Sequence, residues 1–550
     1  MGQSIRTRFE VLGTLACLGP VHVGGWDTTA EASLTIARDG LGRPCLPGTS
    51  IAGALRAYLS GVDRFQAGHP VKVTDALFGL TPSSRDGSPS WIRVDDAHLI
   101  GDDVTPAVRD GVGIDRRSAS AAANYLYTRQ VLPAGTRFAL RLVADTPTTA
   151  APGYPGGWPA LVRDAVEALV AGLTQARVPI GAGRGRGLGR VALRDATIRS
   201  ADLSDPAGLV AWLTGAAPAR PHPPAEDTSP QEAPHDGRLR VAVAWRPVGP
   251  LLVRDSLPGT VVDTLPLTDT TADGTVRLLL PGSSIRGTVR AHAERIVRTL
   301  QRQDAPADFG DALRQPPPGV DVLFGSAPTG RRDDQDQDRR GRRGALAVAD
   351  CHSLGQVSAS QWNDVVTTSP GLVQPSGKQE REEREERNLQ RDQARSVLRG
   401  RLDGIHDHLP LAVSDHVAID RWTGGASDHR LFSVLDPDAT TAWEPIHLDV
   451  DVAHLDRQDA PEHRASAVLA LPLLLLVLRD LRDGWLSLGY GGTRGRGQIE
   501  VTDVTFDGAG LSGAWQSLAG RSLDTVLSDP PPEVVEAMTV WANTFQEAAA

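Results

Sequence analysis

Leu280-Pro281-Gly282-Ser283-Ser284-Ile285-Arg286-Gly287-Thr288-Val289-Arg290 reads as the start of a helix, and the chain contains an earlier version of it, Leu46-Pro47-Gly48-Thr49-Ser50-Ile51-Ala52-Gly53-Ala54-Leu55-Arg56. A Ser or Thr beside Pro-Gly can cap the exposed amides of a first helical turn. Working outward, three more matches follow in the same order. Asp75-Ala76-Leu77-Phe78-Gly79 recurs as Asp321-Val322-Leu323-Phe324-Gly325, Ile114-Asp115-Arg116 as Ile419-Asp420-Arg421, and Arg184-Gly185-Arg186-Gly187 as Arg494-Gly495-Arg496-Gly497. A repeated order of motifs is the mark of a duplicated unit. The spacing between partners grows along the chain, so the second copy is the longer, chiefly between its LFG and IDR segments.

Each copy predicts an opening strand, a loop, the Pro-Gly helix, alternating strands such as Thr136–Val143 and Ile446–Val452, a later apolar helix (Pro159–Gln175; Arg464–Leu481), a Gly/Arg loop and a closing strand. That order suits an antiparallel sheet with helices on one face, a ferredoxin-like βαββαβ arrangement in an α+β chain. The expected organisation is domain one over 1–213, a Pro-rich linker over 214–237, and domain two over 238–550 with a C-terminal extension. Charged insertions are expected at about 331–343 and 371–409. The second holds EREEREERNLQRDQARSVLRGR (Glu380–Arg401), whose i,i+4 Glu–Arg pairs predict a solvated helix.

The 550 residues carry 57 Lys+Arg against 67 Asp+Glu, a net charge of −10. This excludes a uniformly basic nucleic-acid coat but not a local basic groove. Cys17, Cys45 and Cys351 are too scattered for a disulfide framework or a thiolate zinc site. The longest apolar run, Ala467–Leu478 with Pro472 inside it, falls short of the ~20 residues of a membrane span. No membrane association and a cytoplasmic setting are expected.

Three features carry candidate chemistry. The Gly/Arg loops place Arg184, Arg186, Arg494 and Arg496 among glycines that let a backbone approach a ligand, a pattern suited to phosphate; solvated turns would look alike. The helix starts add Ser50, Arg56, Ser283, Ser284, Arg286 and Arg290, where a helix dipole favours an anion. The IDR segments, Gly113–Phe138 and Ala418–Trp443, predict extended hairpins. Each brings an arginine, Arg116 or Arg421, and tip residues Tyr125, Leu126, Leu431 and Phe432 that could wedge between bases. His406, Asp407, His408, Asp415 and His416 cluster locally and read as a polar loop.

Taken together and in order, PGSSIRGxxR, LFG, IDRx[TS]GxA and GxxRGRG resemble the RAMP superfamily, most of all the repeated backbone subunits of type III CRISPR effector complexes. The resemblance implies two RNA-recognition-motif-like units, CRISPR guide RNA as ligand, complementary target RNA and other CRISPR effector subunits as partners, and thumb-like hairpins that displace nucleotides of the guide–target duplex. It also implies target-RNA cleavage by an aspartate in the loop before the Pro-Gly helix, with Mg²⁺ or another divalent cation as a candidate cofactor. Val262-Asp263-Thr264-Leu265-Pro266-Leu267-Thr268-Asp269 resembles the family's pattern and matches Asp263 to that position. In the first copy the same count falls on Ser33, and Asp27 or Glu31 would serve after a shift in loop length. Three other readings stay open: a non-catalytic guide-RNA scaffold, an endoribonuclease that processes the guide precursor, and a nucleotide-binding metabolic enzyme.

Overall fold

The computed structural model describes residues 5–29, 32–61, 73–79, 89–102, 104–118, 120–148, 157–223, 237–256, 259–328, 341–368, 380–456, 461–508 and 510–547. Two compact units form: Met1–Gly111 with Leu126–Asp236, and Val112–Tyr125 with Gly237–Ala550.

In the first unit the central strand is Ile5–Cys17. Its period-2 pattern turns Phe9, Val11, Leu15 and Cys17 inward, all buried. It pairs antiparallel with Arg137–Pro147 on one side and Val191–Asp202 on the other. Ile92–Val94 joins the outer edge of Arg137–Pro147. Numbered along the chain, the four strands stand in the order fourth, first, third, second. Helices Gly48–Leu59 and Gly157–Thr174 pack on the inner face through Ile51, Leu55, Leu59, Leu169 and Leu173. This is the ferredoxin-like βαββαβ arrangement. Pro-rich composition did not keep the linker wholly apart: Ala219–Pro221 adds an edge strand to Val191–Asp202.

The second unit repeats the plan. Arg238–Pro247 lies between Ile446–Asp451 and Ile499–Asp507, with Leu346–Val348 outermost. Helices Gly282–Gln301 and Ala470–Arg482 cover its inner face. The apolar run becomes the second of these helices, with Leu471, Leu473, Leu474, Leu475, Val477 and Leu478 all buried. It is apolar all round because the C-terminal helix Pro532–Glu547 brings Val534, Trp541 and Phe545 into the same core. Among the described residues no helix is long and apolar enough to cross a membrane.

The second charged insertion differs from the solvated helix expected. A helix does span Glu380–Asp403, but Ala394, Leu398 and Leu402 fall at i, i+4, i+8 and are buried, followed by Ile405 and Leu409. Arg395 then forks onto Asp415 (2.6 and 3.0 Å), tying this helix to a hairpin strand. Of the first insertion, 331–340 lies outside the described residues; Arg343 pairs with Asp451.

Candidate nucleic-acid interface

The Pro-Gly helix starts are shaped by close packing. A Cβ on Gly48 would stand 2.2 Å from the Val94 carbonyl oxygen, and one on Gly282 equally close to that of Val348. Only glycine lets the passing strand come so near. The expected hydroxyl cap is not used. Pro47 and Pro281 occupy the cap positions, and the Gly48 and Gly282 amides donate to the carboxylates of Asp96 (2.7 Å) and Asp350 (2.8 Å). The anion that a helix dipole favours is supplied by the protein itself. Ser283 is exposed, Ser50 and Ser284 half-buried. Arg56 pairs with Asp75 at 2.6 Å. Arg286 donates to the carbonyls of Leu346 and Phe324 and lies over the Phe324 ring, bracing the LFG segment.

The Gly/Arg loops correct the sequence register. Ile180 donates to Gly189 as Leu488 donates to Gly497; Ala182 donates to His22 as Tyr490 donates to Leu252; Arg186 donates to Gly183 as Arg494 donates to Gly491. Arg186 therefore matches Arg494, Arg184 matches Gly492, and Arg496 matches Leu188. The two RGRG strings are offset by two residues because the glycines, not the arginines, set the turn. Gly181 and Gly489 have φ of 89° and 78°, and a Cβ there would stand 2.2 and 2.3 Å from the carbonyls of His22 and Leu252. Arg184, Arg186 and Arg494 are exposed, with Arg186 and Arg494 lying beside the hydroxyls of Tyr127 and Tyr490. Arg496 is buried instead. It forms an ion pair with Asp436 and lies 3.3 Å from His416, while burial pushes its guanidinium pKa down.

Both IDR segments form hairpins: Ala107–Ile114 with Ala121–Val131, and Leu411–Ile419 with Ala426–Pro437. The spelling that the two copies share is a turn motif. Asp115 accepts from the amides of Arg117 and Ser118 and the Ser118 hydroxyl; Asp420 accepts from the amides of Trp422 and Thr423 and the Thr423 hydroxyl. Hydrogen bonds from Ser118 and Thr423 lead in holding both carboxyls below their usual range. The turns thus sit at 115–120 and 420–425. Tyr125, Leu126, Leu431 and Phe432 lie on the return strands rather than at the tips. Tyr125 meets Phe309 edge-on at 4.6 Å, and Phe432 stacks over His416 at 5.2 Å. Leu126 and Leu431 are exposed. Arg116 is half-buried and bonds Glu294 at 3.0 Å, a buried carboxylate that Arg290 also holds at 2.8 Å. Arg421 is exposed, and beside it Trp422, which sequence reasoning passed over, is 96% exposed. The Asx pattern I-D-R-W-T-G was the signal that could have placed it.

Asp263 is exposed and sits against the base of the second hairpin. Its Oδ2 accepts from the Ser433 amide (2.7 Å) and hydroxyl (3.0 Å), and its own amide donates to the Ser433 Oγ (3.2 Å). The next residue, Thr264, bridges in parallel to Val434. In the first unit Leu34 bridges in parallel to Arg129, and Ser33 meets Thr128. The two loops have the same length between matched bonds: Ala37 donates to Val23 as Leu267 donates to Val253, and Gly25 to Thr35 as Asp255 to Leu265. Ser33 therefore stands where Asp263 stands. Asp27 is exposed six residues upstream, its carbonyl accepting from the Thr35 hydroxyl, and no shift in loop length brings it to Ser433's counterpart. Glu31 lies outside the described residues.

At the far end of the Asp263 loop, Asp269 is buried against His352 (3.2 Å), which reaches Glu444 (3.2 Å) with its other ring nitrogen; Arg277 pairs with Glu444 at 3.1 Å. Burial alone would depress the His352 pKa, but Asp269 and Glu444 outweigh it and raise the value. Among the described residues no three carboxylate, imidazole or thiol groups converge as a metal site. A divalent ion here would depend on Asp263 together with RNA phosphate and water, a donor set that suits Mg²⁺.

Paired ferredoxin-like units with hairpins and Gly/Arg loops at their edges describe a class of RNA-binding proteins, and sequence comparison gives the family. The RAMP superfamily model matches residues 14–192 and 250–500, and the chain belongs to that superfamily as two fused copies. It is a CRISPR-associated RNA-binding subunit; RAMP proteins bind CRISPR RNA and partner subunits. No curated protein matches the chain.

Proposed function

We propose that this chain is a guide-RNA-binding backbone subunit of a type III CRISPR effector complex, working in the cytoplasm, that holds the guide–target duplex and cleaves target RNA in its second unit through Asp263. The supporting observation is the seating of Asp263: one carboxylate oxygen is fixed by Ser433 at the hairpin base, and the other has no partner among the described residues. A hairpin that displaces a nucleotide and an acid fixed to that hairpin's base act on the same stretch of strand. Exposed Arg184, Arg186, Arg421 and Arg494 suit the phosphate backbone.

The chemistry asks little of the protein. The 2′-oxygen of the displaced nucleotide bonds to the adjacent phosphorus as the P–O5′ bond breaks. Asp263 takes the 2′-hydroxyl proton, the departing 5′-oxygen takes one from solvent, and the acid returns its proton to solvent. The ends left are a 2′,3′-cyclic phosphate and a 5′-hydroxyl. In-line placement supplies much of the acceleration, and a carboxylate general base contributes about 10²–10⁴-fold. A bound Mg²⁺ would neutralise phosphate charge beside Asp263.

The test is Asp263→Ala in the full chain loaded with guide RNA and given labelled complementary RNA. Loss of cutting with retained binding is expected. Unchanged cutting sinks the assignment, and cleavage of repeat RNA by the protein alone would favour guide-precursor processing.

A further inference from the structure

The cradle that holds Asp263 is present twice, and only one copy contains a carboxylate. In the second unit the Ser433 amide and hydroxyl both donate to Asp263, at 2.7 and 3.0 Å, and Asp263 donates its amide to the Ser433 oxygen at 3.2 Å. In the first unit the Thr128 amide points at the Ser33 hydroxyl at 3.2 Å, the Thr128 hydroxyl lies 3.5 Å from it, and Ser33 donates its amide to the Thr128 hydroxyl at 2.9 Å. The three bonds correspond one to one. The backbone around them corresponds too: Leu34 donates to Thr128 and accepts from Gln130 as Thr264 donates to Ser433 and accepts from Leu435. Ser33 and Asp263 are both exposed.

The difference is chemical. A carboxylate accepts both donors and keeps an oxygen for a proton or a cation. Ser33 instead donates its own proton to the Thr128 carbonyl at 3.0 Å. Its hydroxyl is too weak a base at neutral pH to take a proton from a ribose. Asp27 is not the positional match of Asp263: the loop register gives that place to Ser33, and the Asp27 carbonyl accepts from the Thr35 hydroxyl.

We infer that the first unit holds RNA without cutting it, so that each chain makes one cut, and that Ser33→Asp opens a second cleavage position by refilling an existing carboxylate cradle. This rests on the reading of Asp263 as the cleaving acid.

The experiment uses the full chain loaded with a synthetic guide RNA, an end-labelled complementary RNA and Mg²⁺. Five proteins are compared by product mapping: unsubstituted, Asp263→Ala, Ser33→Asp, Ser33→Asn, and Ser33→Asp with Asp263→Ala. The unsubstituted chain gives one product and Asp263→Ala none. Ser33→Asp adds a second product, formed on the order of a hundredfold above background, and the double variant gives the second product alone. Ser33→Asn, matched in shape but uncharged, binds and adds nothing. Unchanged cutting by Asp263→Ala at its own position removes the underlying reading. The inference alone falls if Asp263→Ala loses that cut but keeps another, if Ser33→Asp binds guide and target normally yet adds no product, or if Ser33→Asn adds one as well. The first of these needs no substitution at Ser33, so poor folding of that variant does not shield the idea.

Discussion

Removing the Arg496 side chain should destabilise the second unit far more than it weakens RNA binding. Arg496 is 8% exposed and Asp436 4%. Ser414 donates to the same carboxylate, and His416 lies against the guanidinium at 3.3 Å. Arg496→Ala leaves Asp436 as a buried charge without its counter-ion, which typically costs about 3–5 kcal/mol. With a urea m-value on the order of 3 kcal/mol/M, the unfolding midpoint falls by about 1–1.7 M. Tryptophan fluorescence can follow this unit, because Trp245 and Trp443 lie 5.8 Å apart in its core. The first unit supplies the control. Its matching positions are Leu188 and Val131, both buried. The double variant Arg496→Leu/Asp436→Val should therefore recover most of the loss, since a buried ion pair replaced by apolar residues is often neutral or better; Ser414 keeps His416 as a partner at 3.1 Å. The reasoning is refuted if Arg496→Ala costs under about 1 kcal/mol, the worth of an exposed pair, while RNA affinity drops and its salt dependence loses about one phosphate contact. In that case the guanidinium reaches the RNA.

Two more outcomes follow from the same geometry. Trp422→Ala should leave the melting temperature unchanged, because the side chain is 96% exposed, while lowering affinity for the guide–target duplex by about 1–3 kcal/mol if the ring stacks on a base; equal binding by both proteins removes the tip from the interface. The stabilisation that His352 provides should depend on pH in a defined direction. Its pKa is raised above 6.5 by Asp269 and Glu444 against the effect of burial, so its contribution is complete below 6.5 and fades as pH climbs through the raised value. The Glu444 carboxyl, which burial would raise, is held below 4.5 by His352 and Arg277, so its share is complete above 4.5 and fades as pH falls through the lowered value. The melting difference between the unsubstituted chain and His352→Gln should peak between those limits; a difference that grows toward alkaline pH would contradict the ion-pair description.

The duplicated plan was legible because it lies in local patterns. Period-2 burial in Ile5–Cys17 and Arg238–Pro247, and the repeated Pro-Gly helix starts, are carried by neighbouring residues. Counting along the Asp263 loop was also sound, since the structure keeps the two loops equal in length. What stayed hidden depends on partners far away in the chain. Arg116, Arg286, Arg290 and Arg496 look like phosphate ligands in sequence, yet Glu294, the Leu346 and Phe324 carbonyls, and Asp436 engage them in the fold. Composition cannot tell such a brace from an open guanidinium. The RGRG match misled by two residues because identical letters outweighed the glycines whose positive φ sets the turn. The Glu380–Asp403 helix looked solvated because charge dominates its first half, whereas the apolar spacing that buries it begins at Ala394.

The sheets themselves argue for where recognition must lie. An RNA-recognition domain commonly stacks bases on aromatics of its open sheet face. Here the outward residues of the first central strand include Arg8 and Glu10. Arg8 pairs with Asp145, Arg141 and Arg199 close on Glu10, and Arg8 and Arg199 flank the Trp212 ring. The second face carries Arg240–Asp507 and Arg246–Glu500 pairs. Among the described residues these central strands turn no aromatic outward, and the Trp212 ring on the first face is already taken up by its two guanidiniums. On the proposed reading, contact with RNA falls to the Gly/Arg loops and hairpins, which present backbone, guanidinium and a tip ring rather than base-reading amides. If the proposed function holds, a subunit that accepts guides of any sequence gains from that arrangement: contacts that register phosphate spacing and strand shape would leave the choice of target to base pairing.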